Sequence, residues 1–263
     1  MQILPSVCPL DCPDRCSLDV GVEDGKVKRI DGSDRYDLTD GFICAKVRDF
    51  NDRVTAPLRI LHPMKRTGPK GAGAYARISW EEALRTIAER FTALSKDPGP
   101  ESILPFHYDG SNGYLTSGAM DARLWNRLGA SELNRTFCAA NATAGWNAVF
   151  GDLPGSDPID VRHSDCVVLW GVNPSASGIH LIPPVLEAVK AGASLAVVDP
   201  WRTPLAREAD LHLPVRPGTD VVLAWSVAAE LERRDGLDRA FIARHVEGFE
   251  EFMALARQYP AAK

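Results

Sequence analysis

The spacing of hydrophobic and polar positions changes along this chain, and the changes mark its elements. Residues 18–31, LDVGVEDGKVKRID, alternate apolar and polar on both sides of Asp24-Gly25. A period of two around such a dipeptide predicts a β-hairpin closed by a type I′ turn. Residues 1–60 therefore read as a small β-rich domain. A stretch rich in Pro, Gly and Lys follows over 61–74 and reads as a linker. From Ser79 the period lengthens. Ala83, Leu84, Ile87, Ala88, Phe91 and Leu94 fall on one helical face, and Ser79-Trp80-Glu81-Glu82 supplies a capping box at its start. Residues 102–106, SILPF, read as a short strand. It runs into the Gly-rich loop 109–118 and then a helix through Trp125 and Leu128.

The last hundred residues alternate apolar strands with helices. Strands are predicted at 166–170, 194–199 and 211–215. Helices are predicted at 181–192, at 204–209 and from Asp220, with one or two amphipathic helices after that. Strand–helix alternation with continuous apolar strands predicts a parallel sheet covered on both faces. Cys166, inside the first of these strands, reads as core. The fold class is α/β: a small β-rich domain at 1–60, the first part of an α/β domain at 61–135, and a Rossmann-like parallel-sheet domain at 136–263.

Composition narrows the function classes. A net charge of −5 without a Lys/Arg-rich run gives no footprint for nucleic acid. No apolar run approaches the length of a membrane span. The N-terminus, MQILPSVC, has no charged n-region, long apolar segment or twin-arginine pair, so the expected location is cytoplasmic.

The candidate chemistry begins with Cys8, Cys12, Cys16 and Cys44, spaced C-x3-C-x3-C-x27-C. Three thiolates in nine residues with a distant fourth suit a cubane iron–sulfur cluster. Zinc and disulfides are the alternatives. Structural zinc usually repeats a tighter knuckle, and this chain has no second one. Three later loops leave the predicted carboxyl ends of strands, where open α/β sheets bind ligands. Residues 171–178, GVNPSASG, are small enough for backbone amides to approach a phosphate. Asp199, 28 residues past Gly171, ends a strand in DPWRT and could accept hydrogen bonds from a ribose or a base edge. Residues 217–220, PGTD, turn into a helix. Together they describe a nucleotide groove without the G-x-G-x-x-G fingerprint. Helix capping by Asp199 and Asp220, and a plain turn at Gly218, are the alternative roles for these residues.

CPLDCPDRC followed by CAK resembles the N-terminus of molybdopterin-dependent oxidoreductases of the dimethyl-sulfoxide-reductase superfamily, which includes formate dehydrogenases, nitrate reductases and polysulfide reductases. The resemblance implies a [4Fe–4S] cluster on Cys8, Cys12, Cys16 and Cys44. It also implies that Lys46, two positions after the fourth cysteine, bridges that cluster to a pterin. The G-x-N-P, D-P-x-x-T and G-T-D signatures resemble the family's pterin guanine dinucleotide domain. By that resemblance Asn173, Asp199, Thr203, Gly218 and Asp220 contact the dinucleotide. Cys138, in NRTFCAANATAGW, matches the position whose side chain ligates molybdenum or tungsten, and a soft thiolate suits a sulfur-rich metal centre. A buried free cysteine packed as a small hydrophobe is the alternative.

The implied function is the N-terminal part of a molybdenum or tungsten bis-molybdopterin guanine dinucleotide oxidoreductase. It would perform a two-electron redox change or oxygen-atom transfer on a small-molecule substrate. Electrons would pass through Lys46 and the cluster to an external carrier or to an iron–sulfur or flavin subunit. A non-catalytic electron-relay or scaffold module of the same fold is the second hypothesis. Two departures from the family stand out. Formate dehydrogenases place a histidine after the metal ligand, where this chain has Ala139. Family members are also several hundred residues longer, and the return half of the 61–135 domain lies in that remainder. His107 is a further candidate near the site, with a structural role as its alternative. Arg135 and His163 carry no specific signal.

Overall fold

The computed structural model describes residues 1–107, 120–134, 138–152 and 154–261, the side chain of Cys138 excepted. The Gly-rich segment 109–118, Arg135 and the Cys138 side chain lie outside the described residues. The chain forms two compact units, Met1–Asp157 and Pro158–Lys263.

The first unit opens with an antiparallel sheet of β1 (Gln2–Val7), β2 (Ser17–Glu23) and β3 (Lys26–Gly32), with β2 in the centre. The turn between β2 and β3 has φ of 51° at Asp24 and 71° at Gly25, the positive pair that a type I′ turn requires. The strand β1 was not legible in the alternation, because Pro5 interrupts it. Proline is tolerated there since β1 is an edge strand and pairs with β2 alone. Two short helices follow, α1 (Ala45–Arg48) and α2 (Phe50–Thr55). Cys16, Leu18, Ile43 and Val47 form the buried centre of this domain, with Cys8, Leu10, Val20, Ile30, Cys44 and Phe50 packed around it.

The predicted linker instead contains one arm of a small ladder, β4 (Met64–Arg66) with β5 (Tyr75–Arg77). Next comes α3 (Trp80–Lys96), whose cap Ser79 accepts from the Glu82 N–H at 3.0 Å. Its apolar stripe stays largely open: Trp80 and Leu84 are more than 60% exposed. Phe91 is engaged, edge-on against Trp125 of α4 (Met120–Leu128). The segment 102–106 is not a strand. Pro100–Ser102 is a 3-10 turn, and Ile103 is buried with its carbonyl accepting from Ser131 N–H. No ladder forms there among the described residues, and Pro105 has no N–H to donate to one. The last element of the unit is α5 (Cys138–Phe150).

The second unit is the predicted alternation. Here β6 (Cys166–Trp170), β7 (Ser194–Val198) and β8 (Leu211–Leu213) are parallel, in that order. They are joined by α6 (Ile182–Ala191) and α7 (Pro204–Glu208). Val167, Leu169, Leu195 and Val197 point into one core with Val185, Ala188, Leu205 and Ala206. The chain ends with α8 (Asp220–Arg233), α9 (Arg239–His245) and α10 (Phe249–Ala256). Met253 and Ala256 are fully buried, and Tyr259 stacks on Trp225 of α8.

Two expectations are corrected here. Cys166 is exposed rather than core, and among the described residues β6 is covered on one face only. Strand residues alternate between faces, so Cys166, Val168 and Trp170 share the side opposite Val167 and Leu169. A run of apolar residues does not reveal that alternation. Among the described residues no helix is long and apolar enough to cross a membrane.

Candidate functional site

The four N-terminal cysteines are brought together by the hairpin and by the turn that follows it. Cys8 stands just after β1 and Cys16 just before β2, and the Cys8 N–H donates to the Cys16 carbonyl at 2.9 Å. Between them Arg15 takes a left-handed φ of 42°, which tightens the loop carrying Cys12. Cys44 is drawn to this loop by contacts around Ser17. The Ser17 N–H donates to Thr39 Oγ1 at 3.0 Å, and its hydroxyl donates to the Ser33 carbonyl at 3.1 Å. Thr39 and Ser33 are both fully buried.

Gly32 permits that approach. A Cβ there would lie 2.6 Å from the carbonyl carbon of Gly41, so only glycine lets the two backbones pass. Cys44 then occupies the N-cap position of α1 without a side-chain cap, its carbonyl accepting from the Val47 and Arg48 N–H groups, with Ile43 and Val47 buried on either side. The sequence reading had no role for Gly32, Ser33 or Thr39. A glycine at a strand end is the one signal that could have pointed to a close backbone approach.

The thiols feel one another. Burial pushes the Cys16 thiol up to about 12, with the charges of Asp14, Cys8 and Cys12 adding to it. Cys8 is also raised, chiefly by burial. Cys44 and Cys12 raise it further, while the Leu10 N–H and the Lys46 charge lower it. Lys46, in the first turn of α1, is therefore within electrostatic reach of the thiol group. None of Cys8, Cys12, Cys16 and Cys44 is in a disulfide. Four sulfur donors outside any disulfide, with a cation nearby, fit an iron–sulfur cluster, whose cationic iron–sulfide core stabilises thiolates that burial alone would disfavour.

In the second unit the three loops leave the same edge of a parallel sheet. After β6, Gly171 has φ of 63° and donates to the Val198 carbonyl at 2.8 Å. Asn173 organises the next turn: its side-chain oxygen accepts from Ser175 N–H and its carbonyl accepts from Ala176 and Ser177. After β7, Asp199 Oδ1 accepts from Trp201 N–H at 2.7 Å, and the Asp199 carbonyl contacts His212 Nε2 at 2.8 Å. Thr203 is buried, and its hydroxyl oxygen accepts from Ala206 N–H at 3.2 Å as the N-cap of α7. After β8, Gly218 has φ of 87° and Asp220 begins α8.

Asp220 does not cap its helix. Its Oδ1 accepts from the indole N–H of Trp170, the last residue of β6, at 2.8 Å. Sequence reasoning missed this partner. Gly171 and Gly218 both have open space where a Cβ would stand, which leaves the strand ends clear for a bound group. Cys138 opens α5, and His107 ends a described stretch, its N–H donating to the Pro105 carbonyl. Both belong to the first unit.

Residues 59–232 match the molybdopterin oxidoreductase family, and residues 1–56 match the molybdopterin oxidoreductase Fe4S4 domain. The chain belongs to the molybdopterin oxidoreductase family. It is 37% identical over 261 residues to the probable oxidoreductase YoaE of Bacillus subtilis, covering 99% of this chain and 38% of that protein. It is 33% identical to the dimethyl sulfoxide reductase DmsA of Escherichia coli, covering 95% of this chain and 33% of that protein. Among solved structures it resembles acetylene hydratase from Pelobacter acetylenicus, with a TM-score of 0.72 and 26% identity over 96% of this chain and 36% of the other. The chain thus spans under two fifths of the length of these relatives. Its two matched domains imply a [4Fe–4S] cluster and a molybdenum or tungsten pterin cofactor.

Proposed function

We propose that this chain is the cluster-holding and dinucleotide-holding part of a bis-molybdopterin guanine dinucleotide oxidoreductase acting on a small-molecule substrate. When bound, the metal pterin supplies a two-electron redox or oxygen-atom-transfer centre, and the cluster supplies a one-electron relay to an external carrier or partner subunit. Residues 1–60 hold the cluster through Cys8, Cys12, Cys16 and Cys44, with Lys46 set between it and a pterin. The chain's own contribution there is to shelter four thiolates, Cys16 buried and the other three half-buried, and to place one cation beside them, and charge and burial set a cluster's potential. The observation that carries the reading is that these four cysteines, none of them in a disulfide, act on one another electrostatically beside Lys46.

In residues 136–263 the loops at Asn173, Asp199, Gly218 and Asp220 hold the dinucleotide, and their position at the carboxyl edge of a parallel sheet supports this. Thr203 also caps α7, which holds the 199–203 loop beside these residues. Cys138 ligates the metal, consistent with its place at the start of α5.

The test is extraction of the bound pterin after anaerobic expression in a host that makes the cofactor, with identification by mass spectrometry. The expected result is the guanine dinucleotide form accompanied by molybdenum or tungsten, with lower content in Asp199→Ala and Asp220→Ala. A pterin lacking the nucleotide, or content unchanged in both variants, contradicts the reading.

A further inference from the structure

The contact between Trp170 and Asp220 joins residues that are 50 apart in sequence. Trp170 ends β6, and Asp220 begins the helix that follows β8, two strands away in the sheet. The bond therefore spans the carboxyl edge of the sheet, from the side of the Asn173 loop to the side of the Gly218 turn. Both ends are set by backbone. Trp170 pairs with Val198 in the parallel ladder, and the next residue, Gly171, donates to the Val198 carbonyl. On the other side Gly218 is left-handed, and the Thr219 N–H and hydroxyl both bond the Arg216 carbonyl. Thr219 consequently supplies no side-chain cap to α8.

An aspartate at the first position of an uncapped helix would ordinarily fold back toward the free N–H groups. Here one carboxylate oxygen is held by the indole instead. Trp170 is itself 38% exposed, so its position is not explained by core packing. Its apolar type read in sequence as one more strand residue.

We infer that Trp170 is a positioning residue for the nucleotide site: its indole N–H fixes the Asp220 carboxylate over the strand edge, ready for a nucleoside diphosphate. This rests on the reading that Asp220 contacts the dinucleotide. The indole keeps Oδ1 on one donor, and the carboxylate's remaining lone pairs face the ligand already oriented. Losing a hydrogen bond to a charged group at such a site lowers affinity roughly ten-fold. Trp170→Phe keeps the ring and removes the N–H.

The test uses the full chain with GDP as probe, in four forms: wild type, Trp170→Phe, Asp220→Ala and the double variant. Calorimetry gives GDP affinity, thermal melting checks the fold, and indole N–H exchange by NMR reports the bond itself. The expected result is faster exchange of the Trp170 N–H in Asp220→Ala. GDP affinity should fall roughly ten-fold in Trp170→Phe at an unchanged melting temperature, with no further loss when the substitution is added to Asp220→Ala. Full GDP affinity in Trp170→Phe alongside a loss in Asp220→Ala overturns the positioning role and leaves the dinucleotide reading standing. Additive losses in the double variant also overturn it. Unchanged binding in Asp220→Ala, or no GDP binding by the wild type, defeats the dinucleotide reading and the role of Trp170 with it.

Discussion

Replacing Thr203 with valine separates two jobs that one hydroxyl could have. The side chain is 6% exposed, and its oxygen accepts from the Ala206 N–H at 3.2 Å. Pro204 has no N–H, so this cap serves one of the few donors at the start of α7. Valine fills the same volume, so no cavity opens, but the Ala206 N–H is left without a partner in a place that water does not reach. A lost cap costs about 1 kcal/mol, and an unpaired buried donor costs about 1–3 kcal/mol. The two figures describe the same group and do not add. The expected destabilisation is therefore about 1–2 kcal/mol, which at a urea slope near 2 kcal/mol/M lowers the midpoint by about 0.5–1 M. The assay is urea denaturation followed by circular dichroism, with GDP affinity measured in parallel. Affinity is expected to stay within about two-fold of wild type, since the oxygen faces the helix. A valine variant as stable as the wild type but deficient in GDP binding would refute the capping argument and return Thr203 to the ligand contacts.

Other perturbations probe different parts of the account. Val197→Ala removes two methyl groups from a side chain with no exposure in the central strand β7, and should cost about 2 kcal/mol in the same urea assay. Glu230 is held well below the usual carboxylate range, at about 2, by hydrogen bonds from Arg233 and Arg234. Because the folded value is depressed, its stabilisation is present above the ordinary value of 4.5 and fades as pH falls toward about 2. The stability gap between wild type and Glu230→Gln should therefore close over that window and narrow in high salt, as measured by urea midpoints against pH. Lys46→Met should leave the iron content intact while slowing electron transfer in the holoenzyme. Unchanged turnover would count against a bridging role.

The parts of the fold that follow from local chemistry were legible in the chain. The Asp24-Gly25 turn needs two positive φ values, and Ser79 with Glu82 marks a helix start at short range. The strands 166–170 and 194–198 announce themselves by apolar runs, and the four cysteines by their spacing. What depends on which face a residue takes, or on a partner far away, was not. Cys166 and Val168 sit on the open side of β6 because strand residues alternate, and an all-apolar run hides that. The 102–106 segment has strand-like residues, but Pro105 leaves it without a full set of donors. The close pass of Gly32 by Gly41 and the bond from Trp170 to Asp220 exist only once distant segments meet. These two contacts shape the candidate sites, so candidate chemical residues were easier to read from the sequence than the residues that hold them in place.

The most direct measurement on the central claim is an iron, zinc and acid-labile sulfide count on the anaerobically purified chain, repeated for Cys16→Ser. About four irons and four sulfides per chain are expected in the wild type, with both lost together in the variant. Stoichiometric zinc in place of iron, or four cysteines recovered as disulfides with no metal, would contradict the cluster on which the account rests.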